Sequence, residues 1–270
     1  MSGGFLFMFR VVYYEVAKAP QRHPLRGAGE HRLGAYMTIR TIAVSVSVAI
    51  MLVASAPSLA AESSAGPSVA GLIRLPAPSN AGKLPVEKAL RSRRSVRDFS
   101  RQPLALAEVA QLLWAGQGIT GAGGKRTAPS AGALYPLELY LVAGDVSVLP
   151  QGIYKYHPLD HSLIRVADGD RRAALEDAAL GQDVVNEAAA VIVVAAVYGR
   201  TTWKYGQRGV RYVHMEAGLA AQNIHLQAVA LDLGTVLVGA FDDDKVKKII
   251  RLPSDEQPLC LLPVGRIKPR

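Results

Sequence analysis

The run Arg91-Ser92-Arg93-Arg94-Ser95-Val96-Arg97 puts four guanidinium groups and two hydroxyls into one short stretch. A guanidinium fork matches phosphate oxygens bidentately and a hydroxyl adds one more bond, so the run is a candidate anion grip. Arg93 and Arg97 are four apart, and at a helix end they would share a face, with Ser95 close by. A solvated basic face is the plainer alternative. A second group, Trp203-Lys204-Tyr205-Gly206 followed by Arg208 and Arg211-Tyr212, offers proton chemistry. A lysine of lowered pKa or a tyrosine phenolate can take a proton as a general base. Neighbouring residues on a helix point apart, so only one of Lys204 and Tyr205 is expected to face a substrate. The plainer alternative here is an amphipathic surface pair.

Other motif-like spacings fail on context. Gly116-Gln117-Gly118-Ile119-Thr120-Gly121 matches G-x-G-x-x-G, but a helical pattern precedes it and a Gly/Lys/Arg loop follows. A dinucleotide fingerprint needs a strand before it and a helix after it. The sequence has no G-x-S-x-G and no H-E-x-x-H. His214 and His225, eleven apart, share a helix face without a carboxylate at ligand spacing. They read as satisfied structural histidines, and no metal site is expected. His157, His161 and Cys260 also receive structural readings, Cys260 within the apolar run Leu259 to Val264.

The chain behind these residues has 270 residues, half of them apolar, with 31 Lys+Arg, 22 Asp+Glu and one Cys. This length supports one large domain or two small ones, and a single Cys excludes both an internal disulfide and a Cys zinc cluster. Residues 1 to 60 hold six basic and two acidic side chains, leaving 25 against 20 for the remainder. That mild excess lacks the interleaved aromatics that stack bases, so no nucleic-acid partner is expected.

Arg40, the apolar run Thr41 to Ala56 and the small residues Ser58 and Ala60 fit a signal peptide over residues 37–60, cleaved after Ala60. Residues 1–36 read as a mis-assigned leader, with Met37 as the start, and residues 61–83 as a linker or arm rich in Ser, Ala, Gly and Pro. Export to the periplasm follows, with no stable membrane anchor after cleavage. An anchor through residues 41–56, or a cytoplasmic chain, are the alternatives.

From Leu84 onward the pattern is regular. Helices are expected over Pro85–Ser92, Leu104–Trp114, Arg171–Leu180 and, longest, Val210–Leu231, which Gly234 would stop. Asp242-Asp243-Asp244 would cap one more through Ile250. Leu137–Ala143, Ala190–Tyr198, Thr235–Phe241 and Pro258–Val264 read as strands, Gly152–Tyr156 and Leu163–Ala167 as a hairpin, and Gly116–Gly124 as a flexible loop. This alternation fits an α+β domain.

One ordered set of segments goes further: R-R-S-V-R-D-F, then P-S-A-G-A-L-Y-P ahead of a strand, then G-T-V-L-V-G-A-F, and a terminal L-P-V-G-R. The set resembles the FMN-dependent nitroreductase superfamily over residues 84–267, and the Lys-Tyr segment looks like that of its SagB-type branch, which includes thiazoline and oxazoline oxidases. The resemblance implies an α+β nitroreductase-like fold, with a central mixed or antiparallel sheet flanked by helices, in an intertwined homodimer with FMN at the interface. By position it implies Arg93, Arg94, Ser95 and Arg97, with Arg266, at the phosphate and ribityl chain. It also implies Pro129, Ser130, Ala131 and Gly132 beside the ring, Val238, Gly239 and Ala240 near its other part, and Lys204 and Tyr205 as catalytic residues. The implied function is an oxidoreductase passing hydride between FMN and a small-molecule or peptide-derived substrate. An NAD(P)H-dependent nitro or quinone reductase is the first alternative, and a flavin-binding scaffold without turnover is the second.

Overall fold

The computed structural model describes residues 71–269; the leader, the signal segment and the first part of the arm lie outside the described residues. The centre of the fold is strand β8 (Ala190–Val197), whose side chains are apolar throughout. A strand with no polar side must be covered on both faces. Its alternate residues Ile192 and Val194 face one core while Val191 and Val193 face another, all of them buried. Each such valine or isoleucine contributes about 1.5–3 kcal/mol by leaving water.

β8 is flanked by β5 (Leu137–Ala143) and β10 (Glu256–Ile267), both antiparallel to it. On the β5 side follow β6 (Gly152–His157), β7 (Ser162–Asp168) and β1 (Leu72–Arg74). On the other side β10 carries β2 (Phe99–Ser100) and β9 (Leu233–Thr235). The β-ladder register shifts between Pro258 and Cys260, where proline cannot donate a ladder hydrogen bond. All strand pairings in this sheet are antiparallel.

Helices α2 (Leu106–Gln117) and α6 (Arg208–Ala230) cover one face through Val109, Leu112, Leu113, Val213, Ala220, Ile224 and Ala228. Helices α3 (Arg172–Ala178), α4 (Val184–Glu187) and α7 (Asp243–Ile250) cover the other through Leu175, Val185, Val246 and Ile250. Asp242 caps α7 by accepting from the Lys245 N–H at 3.0 Å. Two further helices, α1 (Val86–Ser92) and α5 (Gly199–Tyr205), pack near α6. Among the described residues no helix is long and apolar enough to cross a membrane.

Several expectations change here. Part of the stretch read as a linker is β1, paired with β7, so the described portion is an arm built into the sheet. The stretch Gly116–Gly124 is not one loose loop, since Gly116 and Gln117 finish α2 and β3 (Ile119–Gly121) pairs with β4 (Lys125–Arg126). Of the strand expected over Thr235–Phe241, only its first residue is regular, and beyond it Val238 bridges Leu261. Gly234 does not end α6; the helix ends before Leu231, and Asp232 takes the left-handed turn at φ 56°. Gly234 has a packing reason instead, because a Cβ there would stand 2.6 Å from a Val96 methyl.

Candidate active site

The turn Ser130–Tyr135 is held in unusual backbone. Gly132, Ala133 and Tyr135 all have positive φ (64°, 54° and 46°), a conformation that costs L-residues energy. The Ser130 Oγ accepts the Tyr135 N–H at 2.9 Å. Gly132 is required for a second reason. A Cβ on it would lie 2.8 Å from the Tyr205 hydroxyl and 3.1 Å from Lys204 Nζ. Both members of the Lys-Tyr pair therefore rest on this one glycine, correcting the expectation that only one could face the site. Both residues lie in the last turn of α5, which ends at Tyr205 before Gly206 leaves the helix at φ 56°, ψ −147°, and their long side chains converge on the turn despite their helical spacing. The Tyr205 ring meets Tyr212 of α6 edge-on, with centroids 5.2 Å apart.

Helix α6 supports the turn from below. Glu216, only 5% exposed, accepts the Ala131 N–H at 2.8 Å. Burial pushes its carboxyl above the ordinary glutamate value, opposed by hydrogen bonds from the Ala131 amide and the Ser130 hydroxyl and by the charge of Arg126. Arg126 lies 4.6 Å over the Tyr135 ring and donates to Gln117 Oε1 at 2.7 Å. Arg200 of α5 donates to the Tyr135 carbonyl at 3.0 Å and pairs with Glu138 at 2.6 Å, which anchors the helix carrying Lys204.

The phosphate candidates Arg93–Arg97 follow α1, beside the His225 side of α6. α1 stops at Ser92, and Arg93 already has extended dihedrals, so the same-face helical spacing of Arg93 and Arg97 does not apply. Arg94 folds back to donate to the Arg91 and Arg93 carbonyls at 2.9 and 2.7 Å. Beside this segment is a cavity of about 320 Å³ lined by Arg94, Val96, His225 and Thr235. His225 Nδ1 and Thr235 Oγ1 are buried at its wall without a partner. The reading of His225 as a satisfied histidine is thus corrected. Burial, then the nearby Arg93 charge, hold His225 below the usual imidazole value. His214 does have a partner, the Tyr198 hydroxyl at 2.5 Å.

A second cavity, of about 530 Å³, continues along the same side of α6 and is lined by His214, Gly218, Leu237 and Gly239. Val238 is buried and exchanges two backbone hydrogen bonds with Leu261, at 2.8 and 2.9 Å, and the Ala240 carbonyl accepts from Gln182 at 2.9 Å. Arg266 does not join the phosphate candidates. Its guanidinium pairs with Glu108 of α2 at 2.9 Å, whereas its neighbour Ile267 lines the smaller cavity.

The two groups of candidates are separated by α6 itself. Glu216 and His225 are nine residues apart, and at about 100° per residue they project about 180° from each other. Arg94 and Leu237–Gly239 border the His225 side, while Ser130 and Ala131 sit on the Glu216 side. Between them α6 exposes an apolar ridge, Met215 and Leu219.

The nitroreductase family model matches residues 90–266, which contain all these groups. The chain belongs to the nitroreductase family. It is 47% identical over 184 residues to MJ1384 of Methanocaldococcus jannaschii, which carries a provisional nitroreductase name, covering 68% of this chain and 92% of that one. It is 25% identical over 192 residues to the trifolitoxin operon protein TfxC of Rhizobium leguminosarum bv. trifolii, covering 65% of this chain and 54% of TfxC. This likeness supports the SagB-type branch. A crystal structure of a provisionally named nitroreductase from Ralstonia eutropha JMP134 superimposes with a TM-score of 0.66 at 30% identity, covering 74% of this chain and 91% of that one.

Glu216, Arg126 and Arg200 were not singled out from the sequence. One signal for Glu216 was available, since it is the only acidic residue between Tyr198 and Leu231 and falls next to Ala217 on a largely apolar helix face.

Proposed function

We propose that the protein is an FMN-dependent oxidoreductase that works as a homodimer and passes hydride between FMN and a small-molecule or peptide-derived substrate. The observation that carries this reading is the placement of the two candidate groups on opposite sides of α6. Two copies packed along Met215 and Leu219 would bring the His225 side of one against the Glu216 side of the other, so that each flavin meets both groups. Gly218, exposed beside that ridge, would permit close helix approach.

The residues present fit the mononucleotide. Arg93, Ser95 and Arg97 supply cations and a hydroxyl suited to one terminal phosphate, and the neighbouring cavity, lined by Ser92, Arg94 and Asp232, receives the unpartnered polar atoms of His225 and Thr235. Segment 238–240 along one groove and segment 129–132 of the second copy would border the ring. When bound, FMN supplies the hydride chemistry; the chain binds, orients and handles protons. Lys204 Nζ and the Tyr205 hydroxyl, together at Gly132, are placed to take a proton from a substrate over that turn.

A second reading, an NAD(P)H-dependent nitro or quinone reductase, rests on Arg208 and Arg211. Neither has an acidic partner among the described residues, and Arg208 lies 5.8 Å over the Tyr212 ring. Such cations suit a nucleotide phosphate. The visible spectrum of the purified protein, the identity of the flavin released on denaturation and an anaerobic titration with NADH and NADPH decide between these. A yellow protein reduced by nicotinamide favours the second reading, and a yellow protein never reduced by any donor or substrate favours a scaffold. Colourless protein that takes up no FMN contradicts the proposal.

The proposal includes export, with a mature chain beginning near Ala61, on the basis of Arg40, the Thr41–Ala56 run and the small residues that follow. Mass spectrometry of native-host protein tests it, and a cytoplasmic form retaining Met37 to Ala60 would contradict it.

A further inference from the structure

We infer that Glu216 is a positioning residue that holds the Ser130–Ala133 turn, and through it both Lys204 and Tyr205. The inference rests on the proposed function for what the pair does, but its geometry stands independently. The segment Ser130–Tyr135, which begins with this turn, contains two non-glycine residues at positive φ, Ala133 and Tyr135, so it persists only if something outside it opposes the strain. Glu216 is suited to do so. Its carboxylate takes the Ala131 amide at 2.8 Å, and the hydroxyl oxygen of the adjacent Ser130 takes the Tyr135 amide at 2.9 Å. The buried carboxylate thereby holds the start of the turn at Ala131, beside the Ser130 hydroxyl that holds its far end at Tyr135.

The same face of α6 supports the pair itself. Tyr212 lies four residues before Glu216 and so on one side of the helix with it, and its ring meets Tyr205 edge-on. Lys204 Nζ in turn lies 5.5 Å over the Tyr205 ring. Glu216 fixes the floor at Gly132 and Tyr212 the wall at Tyr205. Loss of Glu216 should let the turn relax toward negative φ and move the surface on which Lys204 Nζ and the Tyr205 hydroxyl rest. Gln at this position keeps an oxygen for the Ala131 N–H and an amide for Ser130, so it should preserve the arrangement that Ala abolishes.

The test compares Glu216→Ala and Glu216→Gln with the unaltered protein, reading amide exchange across residues 127–135 and the rate at which an amine-acylating reagent labels Lys204. Neither readout needs flavin, whereas flavin content of the unaltered protein tests the proposed function separately. For Glu216→Ala, loss of a hydrogen bond to a charged acceptor predicts exchange at Ala131 faster by about tenfold or more. Lys204 labelling should change with it, while the sheet stays protected. Glu216→Gln should match the unaltered protein in both readouts. Native exchange and labelling in Glu216→Ala would overturn the inference, as would an equally loosened turn in Glu216→Gln. If Glu216→Ala does not fold, the Gln variant and Ser130→Ala decide. The inference then requires native behaviour in the first and a loosened turn with altered Lys204 labelling in the second, and any other pattern overturns it.

Discussion

Glu216 and His225 stand on opposite sides of the helix Arg208–Ala230, one against the Ser130–Ala133 turn and the other beside the Arg93–Arg97 segment. Each marks one half of the proposed flavin site, and α6 is the wall between them.

Lys204 and Tyr205 should separate catalysis from cofactor binding. Lys204→Ala or Tyr205→Phe is expected to leave the flavin spectrum and dimer intact while slowing flavin reduction by the true substrate about 10²- to 10⁴-fold, the usual contribution of a general acid or base. Reduction by NAD(P)H, which needs no protein base, should change much less. Stopped-flow traces of both reductions check this, and unchanged rates in both variants would return the pair to a surface role.

How much of this was legible beforehand follows from the range of the interactions. The strand Ala190–Val197 was legible because burial on both faces leaves no polar residue in it, Leu137–Ala143 because Glu138 alone interrupts an apolar run with a charge, and α6 because one apolar face repeats over 23 residues. The Arg93–Arg97 segment was misjudged in conformation, since it is extended by pairing its Val96 amide with the Thr235 carbonyl at 3.0 Å, a partner far along the chain. Glu216 was missed for the same reason. Its acceptor role exists only once Ala131, 85 residues earlier, folds over it. Arg266 was placed with the phosphate set on sequence order alone, and its pairing with Glu108 spans 158 residues.

Glu216 also predicts a pH dependence with a definite sign. A carboxyl whose folded pKa lies above its unfolded value of 4.5 favours the fold when protonated. That stability is present below the unfolded value and is lost as pH rises through the folded one. Glu216→Gln mimics the protonated form, so its melting temperature should equal that of the unaltered protein near about pH 4 and exceed it toward about pH 7. A Gln variant less stable at neutral pH would show that Arg126, Ser130 and Ala131 compensate the buried charge completely.

His225 should report phosphate directly. Burial and Arg93 hold it below the usual imidazole value, so stability from the neutral ring is present above about pH 6.5 and is lost as pH falls through the depressed value. A phosphate dianion at the Arg93–Arg97 segment opposes the Arg93 charge. Titration of the His225 ring proton by NMR should therefore show an upward shift on adding FMN, and a smaller one with inorganic phosphate. No shift with either would remove the cavity beside Thr235 from the phosphate site.

The central claim is that each flavin is shared between two copies of the chain, and subunit complementation tests it most directly. Arg93→Ala/Arg97→Ala disables the half-site on the His225 side, and Gly132→Val disables the half-site on the Glu216 side. Losing two charge-assisted contacts at about 1.5–3 kcal/mol each should leave the first variant largely colourless. A side chain at Gly132 collides with the Lys204–Tyr205 pair, which should deplete the second. Dimers containing one copy of each variant retain one undamaged pair of half-sites, so mixing them should restore absorbance near one flavin per dimer. If both variants are colourless alone and remain colourless as mixed dimers, the flavin site lies within a single chain and the account is contradicted.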